Sequence, residues 1–201
     1  TKEYHVFNFS NKINLMPKSQ IRHEFITNNE VPYENIYHVA HSLQHSRRNI
    51  QQNENIPVNV RIKIQAHDIA NFQLPGGSFN VYEGTNDSIT FIGSGKSNIS
   101  EKSDVITIET GKTRDILCQF IIKKHEINRN DGEIEINAIF NNRKNKIISI
   151  IWVEKFNDGR WEIYQSDVDY KQLDTYTAQF KVVIPANSNK EVTFKAHINK
   201  Q

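Results

Sequence analysis

The stretch Phe91-Ile92-Gly93-Ser94-Gly95-Lys96-Ser97 ends as a phosphate-binding loop ends. Such a loop reads Gly-x-x-x-x-Gly-Lys-Ser/Thr, because its glycines let the chain turn and its amides face phosphate oxygens. Here Thr90 stands at the first-glycine position. The loop must also follow a buried strand and open a helix. Only Asn98 to Asp104 separate Ser97 from the strand-like Val105-Ile106-Thr107-Ile108, too few residues for that helix. The stretch reads as a strand end and turn that binds no nucleotide.

His38, His41 and His45 form the densest set of potential metal ligands. On a helix, spacings of three and four would gather the imidazoles on one face for a soft divalent metal. On a strand, His38 and His41 would point to opposite sides. No acidic residue within the run could orient an imidazole, so the segment reads as a solvated loop that holds no metal. A metal-dependent or other hydrolase using these histidines is the alternative. His67-Asp68 invites a triad, but no serine sits in a nucleophile-elbow context. The carboxylates Glu133 and Glu135, and Glu101 and Asp104, lie among lysines and read as solvated faces. Cys118 is the only cysteine; it excludes an intrachain disulfide and, set among Ile116, Leu117, Phe120 and Ile121, reads as a buried inert thiol. No catalytic residue and no cofactor is expected.

The elements that would position these residues are strands. Period-2 alternation runs through Val58, Val60, Ile62, Ile64 and Ala66, and again through Ile134, Ile136, Ala138 and Phe140. It returns at Tyr176, Ala178, Phe180, Val182 and Ile184, and at Val192, Phe194, Ala196 and Ile198. This marks half-buried strands of antiparallel sheets. Pro75-Gly76-Gly77, Gly84-Thr85-Asn86-Asp87, Asn130-Asp131-Gly132 and Asn157-Asp158-Gly159 punctuate the runs as turns. About a dozen short strands result. The window 33–49 has helix-like spacing, yet its β-branched and aromatic start reads equally well as a strand leading into a polar loop. Ile147 to Glu154 reads as a central strand covered on both faces, with Trp152 in the core.

The expected fold is all-β, two antiparallel β-sandwich (immunoglobulin-like) domains with little helix. A weak echo between residues 15–25 and 183–194 suggests that each half closes with a hairpin. Gly111-Lys112-Thr113 is then the boundary, giving domains 1–112 and 113–201.

Composition sets outer limits. The 201 residues are 37% hydrophobic and 24% charged with net charge +2, which suits a folded domain and leaves no nucleic-acid footprint. No apolar run reaches the ~20 residues that span a bilayer. The opening Thr1-Lys2-Glu3 has neither a start methionine nor a signal peptide, so a fragment of a longer protein is expected.

Leu74-Pro75-Gly76-Gly77-Ser78-Phe79-Asn80-Val81-Tyr82-Glu83, followed by Ile89-Thr90-Phe91-Ile92-Gly93, resembles the LPAG-x-V-x-VYE…FIGE signature of a bacterial family, domain of unknown function 4139. That family stands at the carboxy-terminal end of proteins sometimes labelled mucoidy inhibitors. Ile108-Glu109-Thr110-Gly111 with Asp115-Ile116, Trp161-Glu162-Ile163, and Thr177 to Ala186 resemble further elements of it, in the family's order. Ser94-Gly95 departs from the family's Glu-Asp, and 38–56 resembles nothing in it. The resemblance implies a β-sandwich and export to the periplasm or cell envelope, and it implies no reaction. The reading is a non-catalytic module serving assembly or partner binding. A protein partner is expected, with Arg47, Arg48 and Trp161 as candidate surface residues. A glycan-binding module is a further alternative, since exposed aromatics can stack on sugars.

Overall fold

A computed structural model describes residues 14, 16–20, 24, 26–43, 53–85, 87–97, 104–127, 131–156 and 160–199. The chain is nearly all β, with eleven strands and one four-residue helix among the described residues. It divides into two compact units, one of residues 1–34 and 62–108, the other of 35–61 and 109–201. The expected boundary at Gly111–Thr113 lies inside a single strand, and residues 35–61 join the residues that follow 109.

The first unit holds α1 (Ala66–Ile69), β3 (Gly77–Thr85) and β4 (Ser88–Ser97), with the first residues of β5 (Val105–Ile127) and the last of β2 (Asn53–Gln65). Ala66, expected to end a strand, starts the helical turn, and its N–H donates to the Asp104 carbonyl at 2.9 Å. β3 and β4 form an antiparallel hairpin from Gly77 opposite Ser97 to Thr85 opposite Ser88, with a bulge between Val81 and Tyr82. Ala66, Leu74, Ile106 and Ile108 make the core, with Phe79 and Val81 packed against it.

The second unit is one mixed sheet that curls on itself. It adds β1 (Glu34–Leu43), β6 (Asp131–Asn142), β7 (Ile148–Phe156), β8 (Arg160–Ser166), β9 (Tyr170–Asp174), β10 (Thr177–Ile184) and β11 (Ser188–Asn199). The strand order is β8-β11-β6-β5-β2-β1-β7-β10-β9. The expectation of purely antiparallel pairing fails at one place: β1 lies parallel to β7, Tyr37 opposite Ile150 and His41 opposite Glu154. A parallel pair needs a long crossover in the chain. The stretch between β1 and β7 supplies one, and turn signals read locally cannot reveal it.

Alternation decides what is buried. Ile134, Ile136, Ala138, Phe140, Ala178, Phe180, Val182, Ile184, Val192, Phe194, Ala196 and Ile198 are all fully buried, as their spacing predicts. Tyr176 breaks its run and is exposed. Trp152 stands at the centre, stacked on Phe180 with centroids 4.4 Å apart and within 5.2 to 6.0 Å of Phe120, Phe194 and Phe140. These rings come from β5, β6 and β11 on one side and β7 and β10 on the other, so the curl brings the two flanks face to face. The ends of the strand path also meet: Trp161 on β8 lies 6.1 Å from Tyr170 on β9, ring centroid to ring centroid, stacks on Phe156 of β7, and donates its indole N–H to the Thr175 carbonyl at 2.9 Å.

Removing a ring from this cluster must leave a cavity that the rigid strands cannot fill. Phe194→Ala is expected to lower unfolding free energy by about 3–5 kcal/mol in urea titrations. The exposed Val183→Ala should cost less than about 0.5 kcal/mol by the same measurement.

Candidate functional site

The inner face of β7 reads Ile148, Ile150, Trp152, Glu154, Phe156, and all five are buried. Glu154 is thus a carboxylate on an apolar strand face, with no exposed surface. A charge in such a place is tolerated only with a counter-charge and hydrogen bonds. Both are supplied. His41 Nδ1 lies 2.8 and 2.7 Å from the two Glu154 carboxylate oxygens, and Trp152 Nε1–H donates to Oε2 at 3.1 Å. The imidazole stacks on Phe120, centroids 4.4 Å apart and planes 15° off parallel, and its Nε2 faces Glu54 at 3.7 Å.

Burial by itself would push the His41 imidazole down, but the Glu154 carboxylate, its hydrogen bond and the Glu54 carboxylate outweigh that and raise it above the ordinary histidine range. That direction favours the imidazolium form of His41 against the Glu154 side chain. Cys118, buried on β5, is raised far above an ordinary thiol, first by burial and then by the Glu154 charge. It is a neutral, inert packing group, as its apolar setting predicts.

The histidine run is therefore not a solvated loop where the structure describes it. His38 and His41 lie on β1 and alternate across it: Tyr37, Val39 and His41 are buried, while His38 and Ala40 face the other way. His38 is lowered by burial and by the Arg61 charge, with Glu109 opposing. The two imidazoles share no face, and His45 lies outside the described residues. No group of three or more His, Cys, Asp or Glu with metal-holding geometry occurs among the described residues.

The other candidates fall into place. FIGSGKS is strand throughout, and β4 continues to Ser97 opposite Gly77. Gly95 has a packing reason: a Cβ there would stand 3.2 Å from Ile108 Cγ2 and 3.3 Å from Ile108 Cα. His67 and Asp68 lie on the single turn of α1, with Nε2 3.4 Å from Oδ1. Glu133 accepts from Lys124 Nζ at 2.5 Å and from the Tyr164 hydroxyl, which hold it below the usual carboxylate range. Glu135 faces Lys195 at 3.9 Å. Glu126, Asp131, Glu133, Glu162 and His197 line an open concavity of about 430 Å³ on this face. Trp161 is half-buried in the contacts already described, and Arg47 and Arg48 lie outside the described residues.

Sequence reasoning missed Glu154 as the partner of His41. Its place on the inner parity of β7 was the available signal, but the histidine is 113 residues away. It missed the outer face of the β3–β4 hairpin as well. Tyr82, Ile89 and Phe91 are 57%, 74% and 55% exposed, and the Tyr82 and Phe91 rings meet edge-on at 5.6 Å.

No protein-family model, no curated protein and no solved structure matches the chain. No helix among the described residues is long and apolar enough to cross a membrane.

The ion pair gives a signed pH dependence. A histidine whose folded-state pKa is raised contributes stability that is present below its unfolded value, about 6.5. That stability is lost as pH rises through the folded value. The melting temperature is expected to decline on the alkaline side of about pH 6.5. In Glu154→Gln the chief raising influence is gone, and the alkaline decline should shrink. Melting curves from pH 5 to 9 on both proteins check this.

Proposed function

We propose that the chain is a non-catalytic module, built of sandwich-type domains of the immunoglobulin kind, that serves assembly or partner binding in a bacterial envelope-associated protein. The observation that carries this reading is the outward placement of Tyr82, Ile89 and Phe91 on one face of a hairpin whose other face is anchored in a core. Single exposed apolar residues are ordinary, but three adjacent ones on paired strands make a patch of the kind that binds partners. The groups with reactive potential serve packing instead: His41 and Glu154 neutralise one another, and Cys118 lies inert beside them. The envelope setting rests on the motif resemblance alone. The segment with Arg47 and Arg48, and the corner around Trp161, are secondary candidates for the same surface.

A photo-crosslinking amino acid placed at Tyr82 of the parent protein, in the source organism, tests this. The expected result is a discrete adduct with one protein of the envelope fraction, absent when the crosslinker stands at the exposed Val183. Equal adducts at both positions, or none at Tyr82, would contradict it. So would turnover of any substrate in a general hydrolase panel by the purified chain.

A further inference from the structure

We infer that the far end of the β1–β7 seam is a proton-operated latch: His41 holds it shut while both ring nitrogens carry protons, and loss of one proton opens it ahead of the rest of the fold. The inference goes beyond the partner-binding reading and does not rest on it.

The charges at the seam make the latch. Glu154 has no exposed surface, and among the described residues His41 is the only cation in ion-pair reach of it. A lysine or arginine there would stay charged throughout the neutral range, whereas an imidazole changes charge within it. Nδ1 is committed to the two Glu154 oxygens at 2.8 and 2.7 Å, so the proton that leaves is the one on Nε2. It goes to water past Glu54 of β2, whose side chain is half exposed and lies 3.7 Å from that nitrogen. The neutral ring then turns a lone pair toward Glu54 and leaves the Glu154 charge with neutral donors alone, its own Nδ1–H and the Trp152 indole N–H. A buried charge without a counter-charge is unfavourable. The titratable group that β5 adds, Cys118, supplies no cation: burial first, and then the Glu154 charge, push its thiol up and keep it neutral. Glu154 regains compensation only by reaching water.

Position decides which part yields. The parallel register runs from Tyr37 opposite Ile150 to Leu43 opposite Phe156, and beyond His41 and Glu154 only Ser42–Lys155 and Leu43–Phe156 remain. Parallel pairs are slightly weaker per residue, and element ends open locally at lower cost than cores. The flanks stay joined without this end. β11 pairs β6 from Ser188 to Asn199, β10 pairs β7 from Thr177 to Ile184, and Trp152 packs on Phe180 and Phe194. In the closed seam burial alone would lower the imidazole, but the Glu154 and Glu54 carboxylates outweigh it and raise the ring above the ordinary histidine range. The latch is thus shut below about pH 6.5, the value of an open histidine, and opens as pH rises through the closed value.

Amide hydrogen exchange of the intact chain, followed by NMR, tests this, with each rate divided by the intrinsic rate at the same pH. The β1 amides in 40–43 that bond to β7 are expected to exchange faster than those of Phe140 and Phe194. Their rates should not respond to urea up to about 1 M, as local opening exposes little surface. Their protection should fall by about tenfold per pH unit above about pH 6.5, and in Glu154→Gln that slope should flatten. Where Glu154→Gln does not fold, the wild-type chain still decides, because its His41 ring signal should titrate above about pH 6.5. Seam amides that share the protection and urea dependence of Phe140 and Phe194 would overturn the inference, since opening would then be global. So would seam protection that ignores pH, an unchanged slope in Glu154→Gln, or a His41 ring that titrates at or below the ordinary value.

Discussion

A carboxylate sealed from water needs a cation within reach, and in this chain Glu154 obtains it from His41 across the parallel pairing of β1 and β7. The pairing and the charge contact are one constraint. A slip of β1 by one residue would turn His41 outward and leave Glu154 alone in the core. The same slip would move Tyr37 and Val39 off the buried face. With β1 held against β7, β2 follows as the neighbour of β1, and β5 follows β2. The curl that brings Phe120, Phe140 and Phe194 onto Trp152 depends on that chain of neighbours.

Other buried polar groups obey the same rule. Asn142 has no exposed surface, and its amide donates to the Lys146 carbonyl at 2.9 Å and to the Pro185 carbonyl at 2.7 Å. It ties the β6–β7 connection to the turn that follows β10. Asn137 donates to Thr193 Oγ1 at 3.0 Å, joining β6 to β11. Where acids gather at the surface, the Glu133 carboxylate is shared by Lys124 and Tyr164. His41, Glu154, Asn137, Asn142 and Glu133 thus each bind across to another strand or turn. The large apolar groups that no strand partner covers stand out as the feature without a structural use.

Much of the sheet was legible in the amino-acid order. The runs at 134–140, 178–184 and 192–198 carry their burial in their period, because a strand with one face in a core must alternate. Cys118 was legible for a similar reason, through its apolar neighbours. The division into units was not, because Gly111-Lys112-Thr113 is a local signal inside a strand that runs from Val105 to Ile127. Membership is decided by pairing between distant segments. His41 shows the same limit. Its strand parity was open to reading, yet an ion pair closed over 113 residues leaves no local trace. In FIGSGKS the glycine that suggested a phosphate loop answers to Ile108, a neighbour set by the fold. The hairpin patch was hidden by its bulge, which shifts the alternation by one residue.

His41 and Glu154 stabilise the fold as a pair. A double-mutant cycle measures that directly, with His41→Phe, Glu154→Leu and the double variant unfolded in urea near pH 6. Each single change strands a partner in the core and should cost about 3–5 kcal/mol. The double variant, apolar on both sides, should cost less than the two single changes together by more than about 1 kcal/mol. Costs that add to within about 0.5 kcal/mol would contradict the account.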